Sequence, residues 1–183
     1  MEFSLSSEQK MLIESARAFA ENELYPHEEE VEQSDSVSSE LAQKIRDRAI
    51  EMGFYAANMP EDLGGGGLDC VSLSLVEREL GRANFALQYL VGRPSNILPA
   101  CVGEQRDRYL FPCIRGEKTD CLAMTEPGAG SDLRSMQCRA DIDGDDYVIN
   151  GTKHFISHAD IADFVILFAA TGWYVVPLAF GKD

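Results

Sequence analysis

Near residue 119 the hydrophobic period of the chain changes, and no other feature constrains the fold as strongly. Before it, apolar residues recur at helical spacing: Leu12, Ala16, Phe19 and Ala20 in one stretch, Leu41, Ile45, Ala49 and Met52 in the next. After it, Gln137 to Ile142 alternates polar and apolar, Asp143-Gly144-Asp145-Asp146 reads as a turn, and Tyr147-Val148-Ile149 as a strand. Helices followed by strands imply an α+β fold or two domains. The expected organisation is an all-helical bundle over residues 1–118, then an antiparallel β-domain over 119–183.

Local signals fill in this outline. Ser6-Ser7-Glu8-Gln9 forms a capping box, and Tyr25-Pro26 interrupts the helix behind it. The acidic run from His27 to Gln33 reads as a solvated helix face. Ser38 or Ser39 opens a second helix, and Gly53 takes the left-handed position after its end. Gly64 to Gly67 follow Pro60-Glu61-Asp62-Leu63, with no Gly-Lys-Ser/Thr behind them. A helix-to-helix loop is therefore favoured over a phosphate loop, although the loop could border a ligand. Val71 to Leu80 resumes helical spacing, Gly81 closes it, and residues 85–116 hold two or three short helices punctuated by Pro94 and Pro99. In the β-part, Asn150-Gly151 gives a strong hairpin signal, and His154 to Ser157 and Phe164 to Ala169 read as further strands. The β-part holds four or five strands and reaches Gly181-Lys182-Asp183 without a closing element. That pattern reads as a truncated domain with an unpaired edge.

Charge and composition exclude several function classes. A net charge of −15 with no Lys/Arg cluster opposes binding to nucleic acid or an anionic membrane. No apolar run approaches the roughly 20 residues that span a bilayer. Met1-Glu2-Phe3-Ser4 lacks a basic leader, so a cytoplasmic location is expected. Cys70, Cys101, Cys113, Cys121 and Cys138 are odd in number and widely spaced, which suits free thiols in a reducing compartment. His154 and His158 are four apart, but their surroundings read as strand and turn with no third ligand near, so no metal site is expected.

The segment Thr125-Glu126-Pro127-Gly128-Ala129-Gly130-Ser131-Asp132 can be neither helix interior nor central strand. Gly128 and Gly130 lack a Cβ, so the backbone there can approach a planar ring or a phosphate closely, while Thr125 and Ser131 offer hydroxyls. Taken alone, the segment is equally a plain turn.

Its company decides between them. Leu122 to Asp132 is followed by Gly144-Asp145-Asp146-Tyr147-Val148-Ile149-Asn150-Gly151-Thr152-Lys153 and by Phe155-Ile156-Ser157. It is preceded by Leu5 to Gln9, Pro60 to Gly65 and Glu77 to Arg82. This ordered set resembles the acyl-CoA dehydrogenase family over residues 1 to about 172. The resemblance implies FAD at the face of the β-domain beside helices, an acyl-CoA substrate, a place in fatty acid metabolism, and an electron-transfer flavoprotein as electron acceptor. Full-length family members are homo-oligomers. By motif match, Leu122, Ala123, Met124, Thr125, Gly130 and Ser131 would wrap the flavin, with Thr125 bonding the pyrimidine side of the ring and Ser131 also near the thioester arm. Phe155, Ile156 and Ser157 would cover the ring, where the family commonly has Trp-Ile-Thr; Phe155 would stack on it and Ser157 would bond near N5. Family members are about twice this length, and nothing after Gly172 resembles them. No acidic residue matches the family's catalytic glutamate, so no catalytic residue is assigned. The expected reading is an FAD-dependent acyl-CoA dehydrogenase, as a truncated chain without turnover of its own. The alternative is a non-catalytic remnant that binds acyl-CoA or a partner protein.

Overall fold

The structure, a computed structural model, describes residues 4–172, and residues 174–181 through their backbone alone. The chain divides into two compact units, Met1–Glu117 and Lys118–Asp183.

The first unit is helical. Helix α1 (Ser7–Phe19) begins on the expected capping box: the Ser6 hydroxyl accepts from the Gln9 N–H while the Gln9 side chain accepts from the Ser6 N–H. It runs on through a π-helical turn (Ala20–Leu24) and a 3₁₀ turn at Tyr25–His27, where proline ends regular hydrogen bonding. The acidic segment forms α2 (Glu28–Ser34), and Ser38 caps α3 (Ser39–Glu51). Helix α4 (Cys70–Leu80) is capped by Asp69, whose carboxylate accepts from the Val71 and Ser72 N–H groups. Short helices α5 (Phe85–Gln88) and α6 (Phe111–Ile114) complete the unit. Among the described residues no helix is long and apolar enough to cross a membrane.

Most of the apolar positions named from the sequence are buried, with Ala16, Phe19, Ile45 and Ala49 at most 1% exposed, but Leu12 is half-buried and Met52, at the end of α3, is 37% exposed. Phe19 meets Phe54 edge-on, with ring centroids 5.4 Å apart. Helix α1 packs on α4, and a buried carboxylate ties them. Glu79 accepts from Arg17 of α1 at 3.0 Å, from Arg78 at 2.8 Å and from Arg82 at 3.2 Å. The Arg17 hydrogen bond pulls its pKa down; burial opposes, but Arg78 and Arg82 add to the pull and bring it to about 2.

The four-glycine stretch is a packed loop. The N–H groups of Gly64, Gly65, Gly66 and Gly67 donate to the carbonyls of Glu61, Pro60, Ala56 and Met59. No amide in it is left to cradle a phosphate. A Cβ on Gly65 would stand 2.3 Å from the Met59 carbonyl oxygen, and one on Gly66 2.9 Å from Ala57 Cα, so close backbone approach is the reason for glycine there.

The second unit holds five strands: β1 (Asp120–Ala123), β2 (Arg139–Asp143), β3 (Asp146–Asn150), β4 (Phe164–Thr171) and β5 (Tyr174–Gly181). With the helical first unit, this is the α+β class read from the sequence. The pairing differs from the antiparallel expectation in one respect. β2–β3 and β4–β5 are antiparallel, but β4 runs parallel to β1 (Asp120↔Phe164) and to β2 (Arg139↔Ala170), so the sheet is mixed. A tight turn at Gly144-Asp145 enforces antiparallel pairing, whereas the long connections 124–138 and 151–163 let β4 return in the direction of β1 and β2. β5 pairs along all of β4, so β1 and β2 share its other edge. Met136, Cys138, Ala140 and Ala169 form one buried cluster of this unit, with Leu133, Ile149, Leu167 and Phe168 packed on it, and Cys121, Ala123, Phe164 and Ile166 are buried as well.

Two strand expectations fail. Asn150-Gly151 makes no hairpin: β3 ends at Asn150, and residues 151–156 are irregular, including most of the 154–157 run read as strand. Gly151 lies so close to Cys138 that a Cβ would stand 2.6 Å from Cys138 Cα. It is a packing glycine, and the chain passes on toward β4.

The Glu79 cluster sets a pH-dependent stability. Its folded pKa of about 2 lies below the ordinary value of 4.5, so its contribution is present above pH 4.5 and fades as pH falls toward 2. Replacing Glu79 by Gln is expected to cost about 2 kcal/mol at pH 7, limited because the three guanidiniums are half-exposed. Urea unfolding at pH 7 and between pH 4.5 and 2 checks both: the variant's acid slope in that window should flatten.

Candidate functional site

Strand β1 delivers the chain into the 125–132 segment, whose first residues fold back on themselves. The Glu126 N–H donates to the Ala129 carbonyl at 2.9 Å and the Ala129 N–H to the Glu126 carbonyl at 3.2 Å, closing a four-residue turn over Pro127-Gly128. Asp132 caps the next turn, accepting from the Arg134 N–H and the Ser135 hydroxyl. The segment is a turn, and it is also more than one.

The Glu126 side chain, 5% exposed, points inward. One carboxylate oxygen accepts from the Gln137 N–H at 2.7 Å; the other accepts from the Cys138 N–H at 2.9 Å and from Lys153 Nζ at 2.8 Å. Lys153, its side chain 8% exposed, also donates to the Met124 carbonyl at 2.9 Å. The His154 N–H donates to the Thr125 carbonyl at 3.1 Å. One buried ion pair thus joins the loop, the approach to β2 and the 153–154 segment. Burial pushes the Glu126 carboxyl up, but the Lys153 hydrogen bond, the two main-chain N–H groups and the Lys153 charge outweigh it and hold the group below its usual range. Burial also pushes the Cys138 thiol up, which suits a core thiol rather than a nucleophile.

The outer surface of this framework is unfilled. A Cβ on Gly128 or Gly130 would meet nothing within 4 Å. The Thr125 N–H and hydroxyl, the Ser131 hydroxyl and the Ser157 hydroxyl have no hydrogen-bond partner among the described residues. Leu122 is 39% exposed although it lies in a strand. Phe155 is 86% exposed and sits at φ +55, a conformation that bulky residues seldom adopt. Its ring leans on the His154 imidazole, 4.1 Å between centroids. Beside it Ile156 is half-buried, and Ala123 on β1 is buried.

Of the residues singled out in the sequence, Met124, Thr125, Phe155 and their neighbours are brought together by the His154–Thr125 and Lys153–Met124 bonds. Gly130 and Ser131 are exposed on the far limb of the same loop. Sequence reasoning missed Lys153 and the buried role of Glu126; the available signal was one Lys and one Glu inside the two quoted motifs. Among the described residues no group of three or more His, Cys, Asp or Glu is placed to hold a metal ion.

Comparison with known proteins follows the same two units. Residues 6–117 match the family description "Acyl-CoA dehydrogenase, N-terminal domain" and residues 121–174 match "Acyl-CoA dehydrogenase, middle domain". A 3-(aryl)acrylate reductase of Clostridium sporogenes is 39% identical over 171 residues, 90% of this chain and 44% of that protein. An acyl-CoA dehydrogenase of Bacillus anthracis complexed with FAD superposes with a TM-score of 0.79 at 32% identity, over 98% of this chain and 32% of that one. A glutaryl-CoA dehydrogenase of Mycobacterium smegmatis in complex with FADH2 gives a TM-score of 0.83 at 27% identity, over 98% and 46%. The chain spans less than half the length of these proteins.

The buried pair is open to direct test. Glu126→Ala leaves the Lys153 ammonium and two main-chain donors without their acceptor, so a loss of about 3–5 kcal/mol is expected. Urea unfolding followed by near-UV signals of the 118–183 unit measures it.

Proposed function

The chain belongs to the acyl-CoA dehydrogenase family, and on that premise we propose that the surface formed by residues 122–131 and 155–157 binds FAD in an enzyme that dehydrogenates acyl-CoA thioesters in cytoplasmic fatty acid metabolism. The observation that carries this is Phe155: an aromatic side chain 86% exposed on strained backbone, a conformation that exposure to water alone does not repay. The residues fit the cofactor. Phe155 offers a face for a planar ring, Thr125 and Ser157 offer donors for its heteroatoms, and Gly128 and Gly130 leave open the space a Cβ would enter. Leu122, Ala123, Met124 and Ile156 would supply the wall of the site, and Ser131 would face the thioester arm of the acyl-CoA substrate. The five free thiols accord with a reducing compartment.

Bound there, FAD would supply the acceptor for a hydride from the substrate's β-carbon, passing its electrons on to an electron-transfer flavoprotein. The chain's own residues bind, orient and shield. Phe155 would cover one side of the ring against water, and the main-chain turn at 126–129 would keep the loop open toward it. Glu126 does not act as the base for the α-proton: its carboxylate is consumed by three donors and held in the ionised form by them. A second reading, reduction of an aryl-substituted acrylate, is favoured by the 39% identity to a 3-(aryl)acrylate reductase. Reoxidation of photoreduced flavin-loaded protein by 3-phenylacrylate, but not by an enoyl-CoA, would select it.

Gly130→Val tests the cofactor site. Gly130 has open space at its Cβ position and no left-handed φ, so the substitution should change stability by no more than about 0.5 kcal/mol. FAD affinity, followed by flavin fluorescence, is expected to fall at least about tenfold; equal affinity would make the loop a plain turn. A further expectation is that the FAD-loaded 183-residue chain, mixed anaerobically with short-, medium- and long-chain acyl-CoAs, keeps its flavin oxidised. A positioned carboxylate typically contributes about 10²–10⁴-fold to such a proton transfer, and the one in this loop is committed elsewhere. Rapid bleaching would show a base recruited from within the chain.

A further inference from the structure

Resting on the flavin-site reading above, we propose that Lys153, anchored by Glu126, is a positioning residue. By holding the Met124 carbonyl, it fixes the Thr125 N–H as an outward-facing donor for an acceptor atom of the bound flavin ring.

The geometry of the loop carries the proposal. No peptide bond among the described residues is cis, and in a planar trans peptide the carbonyl of one residue and the N–H of the next point to opposite sides. The Met124 carbonyl is turned toward Lys153 Nζ, 2.9 Å away, so the Thr125 N–H points away from Lys153. The next peptide displays the same rule. The Thr125 carbonyl accepts from the His154 N–H at 3.1 Å, and on the other side the Glu126 N–H meets the Ala129 carbonyl at 2.9 Å. The loop therefore satisfies its second outward N–H with its own turn. It leaves the first with no partner among the described residues. A half-buried main-chain donor of fixed direction is a group that a ligand completes.

The identity of the clamp matters as well. Burying an ammonium is costly unless an anion and hydrogen bonds offset its lost hydration, and a neutral donor could have held one carbonyl. Glu126 meets the charge at 2.8 Å and is itself fixed by the Gln137 and Cys138 N–H groups. The ammonium is thereby locked on the framework and cannot swing out to release Met124. A rigid clamp of this kind suits an N–H that must keep its direction whether or not the ring is present, which lowers the ordering cost of binding.

The experiment is a titration of the ¹⁵N-labelled 183-residue chain with FAD, followed by amide NMR and by flavin absorbance. In the wild-type chain the Thr125 amide should shift downfield and become protected from exchange as the ring binds. In Lys153→Met the stem is kept and the cation lost; FAD affinity should fall about tenfold, and the Thr125 shift and protection should disappear while the Gly130 amide still responds. Glu126→Gln/Lys153→Met leaves no unpaired buried charge, so it is read in the same way if the single variant does not fold. A Thr125 amide that shifts and is protected equally in wild type and either folded variant would overturn the positioning role while leaving the flavin site intact. Absence of any FAD-induced change in the wild-type chain would overturn the flavin reading, and this inference with it.

Discussion

The ion pair between Glu126 and Lys153 is the constraint on which the organisation of the second unit depends. Through four hydrogen bonds around two buried head groups it fastens the loop after β1, the approach to β2 and the segment after β3. Its worth lies less in net stability than in exclusivity. A buried charge pair gains little over an apolar replacement, but it penalises every arrangement in which the partners separate. Three irregular segments, which by composition could take many conformations, are thereby held to one.

The first unit uses charge differently. Glu79 is also buried, but its three guanidinium partners reach it from the surface and remain about half exposed. They keep much of their hydration, so the cluster avoids most of the desolvation that Lys153 bears. It also has a simpler task, joining α4 to α1 where both elements are already regular helices. The costlier form of ion pair occurs where the backbone has no ladder of its own to define it.

How far this could be read from the sequence follows from the range of the interactions. The Ser6 capping box, the Ser38 cap and the turn at Gly144-Asp145 depend on neighbours within a few residues, and each stands where the sequence puts it. The parallel alignment of β1 with β4 depends on residues about 44 apart, such as Thr119 and Asp163, and a two-residue period carries no strand direction. Asn150-Gly151 misleads because glycine has two uses: its dipeptide signals a turn, but here the missing Cβ makes room for Cys138. The 125–132 segment was recognisable as a place of close approach, since small residues advertise open space. The ion pair beneath it was not, because a Glu and a Lys 27 residues apart look like any two surface charges until the fold brings them together.

The packed glycine loop has a consequence at the level of the gene. Every single-nucleotide change at the first or second position of a glycine codon introduces a side chain or a stop. At Gly65 and Gly66 that side chain would run into the main chain of Met59 and Ala57, which cannot move aside without dragging the loop. Only silent third-position changes can accumulate there. In a population, these codons should drift in spelling while their translation stays fixed, a pattern usually credited to catalysis and produced here by lack of room.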